Sequence, residues 1–278
     1  MLIAIIRRAA SVLPKAFLTN WVLLLAFLVT QAAWLFGALH HGTARSEMLL
    51  LATAAPAIFV GAAWSGAQYR SLLAISHSDR ILTDTLRLLC AGFLVWFLIA
   101  LAAAILSVGF FLAAGILSVL AEVDASATAE EVYAALQANG TIYVAYALVG
   151  LMLLIALWLS VKLYMYGAAT VDFGAISVLR GWDWTKGHFW TLGACVILFS
   201  AAPSVIAGFV GHAAVTSLGG PSLFAVLGGE NIAALERQPT IAVSLLAASL
   251  WAILSSLVVA IGHAGAASTF SLLKPNEP

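Results

Sequence analysis

The sequence predicts an all-α integral membrane protein with six transmembrane helices, and three observations carry that expectation. Apolar residues fill 63% of the 278 positions and charged residues only 9%, against about 45–50% and about 25% in soluble domains. Six stretches reach the roughly 20 apolar residues that a helix needs to cross a hydrocarbon core of about 30 Å. The basic residues then fall almost entirely on one side of the resulting topology. Twelve Lys and Arg balance twelve Asp and Glu, so no net charge draws the chain toward nucleic acid.

Taken in order, residues 1–14 come first. Leu2, Ile5, Ile6, Ala9 and Leu13 alternate with Arg7 and Arg8, an amphipathic pattern suited to an interfacial helix on the cytoplasmic side. The first span, about 17–39, is apolar for longer than the roughly 7–15 residues of a signal h-region, and no small-x-small cleavage site leads into a soluble domain. It is expected to be retained, and no lipidation motif is expected to anchor the chain. The second span covers about 48–68. The connection to the third, Ser71 to Arg87, places Arg80 four residues before Asp84 and Arg87 three after it, a spacing that predicts exposed ion pairs on a solvated helix.

The third span, about 87–110, begins a run to Ala121 that would make a helix of about 51 Å at about 1.5 Å per residue. Two crossings there would move Lys162, Arg180 and Lys186 outside and the acidic residues Glu122, Asp124, Glu130 and Glu131 inside. Charge placement rejects that. The run therefore predicts one tilted helix to about Gly109, followed by an interfacial extension or a partial return. The fourth span is about 141–165. In the connection after it, Val171, Ala175, Val178, Leu179 and Trp182 recur at helical spacing opposite Asp172, Arg180, Asp183 and Lys186, which predicts an in-plane amphipathic helix. The fifth and sixth spans are about 188–211 and 240–263. Between them the Gly-rich run 215–229 is too broken to cross. All 278 residues are thus expected to form a single polytopic membrane domain.

Orientation follows from charge. Arg7, Arg8, Lys15, Arg70, Arg80, Arg87, Lys162, Arg180, Lys186 and Lys274 share one side, leaving only Arg45 and Arg237 on the other. The positive-inside rule places the larger set, and both termini, in the cytoplasm. Trp21, Tyr143, Tyr164, Tyr166 and Trp190 near span ends fit interfacial belts.

The run Val178-Leu179-Arg180-Gly181-Trp182-Asp183-Trp184-Thr185-Lys186-Gly187-His188-Phe189-Trp190 resembles a pattern in loosely related bacterial multi-pass families. They include the membrane domain attached to some glycerophosphodiester phosphodiesterases, and the YciC-like proteins. The resemblance implies a membrane module of the bacterial cytoplasmic (inner) membrane. Gly181, Trp184 and His188 stand where Ser, Leu and Asn are commoner. No phosphodiesterase activity comes with it, since no soluble catalytic domain is attached. From the residues alone, the motif reads as a surface helix that stops at Gly187 and re-enters the bilayer behind an aromatic anchor. Arg180, Trp182, Trp184, Lys186 and Trp190 are its candidate contacts to lipid head groups or a partner.

Catalytic patterns do not assemble. The sequence has no His-Glu-x-x-His, no Gly-x-Ser-x-Gly and no phosphate-cradling glycine loop, so an enzyme is not expected. His40 and His41 point about 100° apart on a helix and do not both fit one metal site with His212. His77 and His188 are expected to be solvated, and His263 to hydrogen-bond a neighbouring helix. Cys90 and Cys195 are expected to act as small apolar residues in a reducing compartment. Neither cofactor nor metal is expected. No Asp, Glu, Lys or Arg sits in the middle of a span, which disfavours charge translocation; Thr53, Ser65, Ser107, Ser200, Ser204, Ser255 and Ser256 suit close packing instead.

These features predict a non-catalytic bilayer module, an accessory or scaffold subunit whose partners are membrane lipids, a larger membrane complex or copies of itself. The alternative is a small transporter or channel for a neutral or amphipathic solute. One feature favours that alternative. Thr53 to Gly61 aligns without a gap on Ser200 to Gly208, bringing Pro56 onto Pro203 as a pair of helix kinks in oppositely directed spans. That is the relation of a three-plus-three inverted repeat.

Overall fold

Asn20 is the first residue whose backbone shapes the fold. Its φ of 52° ends the first helix, while its carboxamide oxygen accepts from the Leu23 backbone N–H at 3.3 Å and so caps the second. Helix α1 therefore runs Leu2–Leu18, past Pro14 and four residues beyond the expected interfacial segment. Its buried face is Ile5, Ala9 and Ala16. The opposite face leaves Ile3, Ile6, Arg7, Arg8 and Lys15 exposed.

The computed structural model describes residues 1–39, 44–75, 81–120, 129–138, 140, 142–217 and 240–274. Among them all regular structure is helical. The helices are α2 Trp21–Leu39, α3 Ala44–Leu73, α4 Ile81–Leu120, α5 Ala129–Ala138, α6 Ile142–Leu163, α7 Tyr166–Phe173, α8 Gly181–Trp184, α9 Phe189–Val196, α10 Ala202–Ser217 and α11 Ile241–Leu273. Six segments are long and apolar enough to cross a membrane: Trp21–Leu39, Met48–Leu73, Ile81–Val108, Ile142–Phe173, Phe189–Ser217 and Ile241–Leu273. Each corresponds to one of the six expected spans.

Three local expectations are corrected. The run beyond Gly109 does not turn back at once, because α4 is one helix as far as Leu120. The connection after α6 is not one amphipathic helix. Gly174, at φ 58°, ends α7 in the left-handed conformation that glycine adopts without steric cost, and Ala175, expected on the apolar face, is exposed. Asp84 is not a solvated surface acid: it is buried between Arg70 at 3.0 Å and Arg87 at 3.2 Å. The run 218–229, His40, His41, His77, Arg80, Glu122, Asp124 and Arg237 lie outside the described residues.

The chain divides into two compact units, Met1–Gly92 with Lys162–Pro278, and Phe93–Val161. In the larger unit α11 is the hub, packed by α1, α2, α3, α7, α9 and α10. The reason is legible in its residues. Ser244, Ala248, Ala252, Ser256, Ala260, Ala264 and Ser268 repeat at every fourth position, and all seven are buried. A four-residue row advances about 40° per step around a helix of 3.6 residues per turn, so small side chains face different neighbours along its length. Near one end Ala247 and Ala248 meet Leu35, Leu39 and Val215. Lower down, Ala260 and Ala264 meet Ala9 and Ala16 of α1. Small residues let backbones approach closely where lipid supplies no hydrophobic drive for helix association. Thr240 caps α11, its hydroxyl accepting from Val243 N at 3.3 Å.

The fifth span changes register midway. Ile197–Ala201 is a π-helical turn, closed by Ala202 N donating to Ile197 O. Two residues on, Pro203 has no N–H to offer Phe199 O, and a wider turn absorbs the lost α-helical bond. In the smaller unit, α5 opens with Glu130 and Glu131, where carboxylates favour a helix N-terminus. Its Tyr133 hydroxyl lies 3.4 Å from that of Tyr146 on α6. Phe93, Trp96 and Tyr143 there expose 76%, 71% and 74% of their surface.

Candidate functional site

The connection from Leu163 to Phe189 is held against the end of the larger unit by charges that the sequence scatters widely. Lys162, at the last turn of α6, reaches back to donate to Trp182 O at 3.1 Å and to Thr185 Oγ1 at 2.6 Å, with its ammonium 5.4 Å from the centre of the Trp182 ring. Thr185 in turn donates to Trp182 O at 2.8 Å. One cation thus fixes the turn around α8 through charge-assisted bonds. Gly187, at φ 76°, then lets the chain reverse into α9.

On α7, the Thr170 hydroxyl accepts from Ser177 N at 3.2 Å, tying down the segment after Gly174. Asp172 pairs with Lys274 beyond α11 at 2.5 Å. Between them Phe173, Trp184 and Phe270 form an aromatic trio, with centroids 5.6–6.2 Å apart. Arg180 lies 3.9 Å over the face of Phe173, and Lys274 is 5.1 Å from the same ring, both within reach of the ring quadrupole.

The five sequence-selected residues therefore separate into two groups. Trp182 and Trp184 are half-buried parts of the scaffold. Arg180, Lys186 and Trp190 are exposed, Trp190 by 76%, and Phe189 packs edge-on against it at 5.1 Å. Lys186 forms an exposed ion pair with Asp183 at 2.7 Å. That pairing holds the Asp183 carboxyl below its ordinary range. The site is thus a rigid aromatic floor that presents cations and one indole outward.

The larger unit carries further polar groups. Lys15 donates to Ser71 O at 2.7 Å, and Gln68 Nε2 donates to Ala16 O at 3.0 Å. His263 does hydrogen-bond a neighbouring helix: its Nδ1 meets Gln68 Oε1, and its ring lies 4.5 Å from Tyr69. Pairing alone did not reveal Lys162, Phe173 or Phe270 in the sequence. They are separated by up to about a hundred positions, and each reads singly as an ordinary span-end residue.

The two prolines differ locally. Pro56 is exposed on α3, which continues through it unbroken, whereas Pro203 is half-buried just after the π turn. No protein-family model, curated protein or solved structure matches the chain.

Proposed function

We propose that the chain is a polytopic protein of the bacterial inner membrane, with six spans and both termini in the cytoplasm. In this reading it works as a non-catalytic module, an accessory or scaffold subunit whose cytoplasmic end binds anionic lipid head groups and, through them, a larger membrane assembly or further copies of itself. The observation that carries this reading is that α1 and the connection after α6 each expose cations and large apolar groups together. Arg7, Arg8, Lys15 and Leu18 are exposed on α1, and Ile176, Leu179, Arg180, Lys186 and Trp190 on and after that connection. Cations next to a leaflet of anionic lipid contribute on the order of 1 kcal/mol each, and aromatic rings seat at the head-group level.

Native mass spectrometry of the purified chain tests it. Phosphatidylglycerol should be retained in preference to phosphatidylcholine, and an Arg180→Ala, Lys186→Ala double variant should lose most of the preference. Equal retention of both lipids by the unaltered chain would end this reading.

The second reading is a transporter or channel for a neutral or amphipathic solute, built on a three-plus-three inverted repeat. The π turn beside Pro203, packed on α11, favours it as an interrupted helix inside a bundle. Exposure of Pro56 weakens the repeat. Flux across reconstituted vesicles separates the two readings.

A further inference from the structure

Two amide side chains lie within the spans, and they differ in one respect. Gln68 is satisfied on both sides, by Ala16 O and by His263. Gln31 makes no hydrogen bond to a described residue, although an unmet amide in a hydrocarbon setting costs free energy. It lines a cavity of about 300 Å³ between α2 and α3, whose other walls are Trp34, Ala54, Ala57 and Ile58. That volume matches the small end of ligand pockets, about 300–1,000 Å³. No wall is charged.

Depth narrows the occupant. Gln31 lies ten residues from Trp21 and eight from Leu39, or about 15 and 12 Å along the helix axis. With α2 crossing a core of about 30 Å, the amide sits near the midplane, beyond the reach of phospholipid phosphates and esters, which stay at the borders. Its partner must carry a hydrogen-bonding group without charge into the bilayer centre. Trp34, one turn along α2, offers a flat aromatic wall beside the amide. Ile58 is 64% exposed, so the cavity opens sideways toward lipid.

We propose that this cavity binds a neutral, lipid-soluble molecule with a compact planar head bearing a carbonyl. The Gln31 amide donates to that carbonyl, Trp34 covers the ring, and the tail leaves past Ile58. The proposal rests on the bilayer-spanning reading of α2 and α3 and is independent of the cytoplasmic cation surface.

The test is equilibrium binding of decylubiquinone, a short-tailed quinone, to the detergent-solubilised full chain. Decylbenzene, which has a ring and tail but no carbonyl, is the matched probe. Decylubiquinone should bind saturably, and Gln31→Leu should weaken it by about tenfold, the scale of one hydrogen bond in an apolar site. Decylbenzene binding should be unchanged by the same substitution, which also shows that the cavity is still formed. Ala57→Phe, which fills the cavity, should abolish both. The proposal is overturned if quinone binding is not saturable, if Gln31→Leu leaves it unchanged, or if the substitution weakens both probes equally.

Discussion

Lys162 shows how one residue organises a surface. Its ammonium supplies two hydrogen bonds to the turn at Trp182 and Thr185, and a bond to a charged group contributes about 1.5–3 kcal/mol. Lys162→Met should keep the aliphatic stem while removing both bonds. Amide hydrogen exchange over 182–188 should then quicken, with the span helices unaffected; unchanged protection there would show that the turn holds without the lysine. A second residue-scale prediction concerns sign. The Asp183 carboxyl has a folded-state pKa below its unfolded value because Lys186 stabilises the anion, so the pair is present at neutral pH and is lost only as pH falls through that lowered value. At neutral pH, then, Asp183 masks part of the Lys186 charge. Asp183→Asn should raise the preference for phosphatidylglycerol over phosphatidylcholine, and a lowered or unchanged preference would show that Lys186 does not face lipid. The sequence placed Asp183 and Lys186 only on the polar side of a helix, without pairing them. Lys162 stood there only as one of the basic residues of one side; its partners lie 20 and 23 positions away, too far for spacing to show them.

At the scale of elements, close approach governs α11. A Cβ on Gly265 would lie 2.5 Å from Phe199 Cγ in the π turn, nearer than packed carbons tolerate. Gly265→Ala should therefore cost about 1–3 kcal/mol, the range for overpacking a filled core, seen as a lower thermal midpoint in detergent. Gly150, with nothing near its Cβ position, supplies the comparison, and equal losses at both would deny the close contact. Hydropathy located the six candidate spans because each is a long apolar run. It could not extend them correctly where helices continue past the apolar window, as α3 does to Leu73 and α11 to Leu273. The connection 171–186 was misjudged for another reason: its apolar spacing suits a helix, but Gly174 allows a left-handed turn that periodicity does not register. The four-residue row of α11 emerged only with the packing, which also shows that successive steps serve different partners.

For the molecule as a whole, all twelve Lys and Arg belong to the larger unit. Among them, Arg70 and Arg87 pair with Asp84, and Lys274 pairs with Asp172. Glu130 and Glu131 open α5 in the smaller unit. The helical class and the six helices long and apolar enough to cross a membrane were legible because their apolar composition runs through the entire chain. Function was far less so, because head-group contact and midplane binding each depend on a few side chains brought together from distant positions. Reporter fusions near Glu130 and near Lys186 test the proposed six-span topology directly: an outside signal is expected at the first and an inside signal at the second, and an inside signal near Glu130 would contradict it.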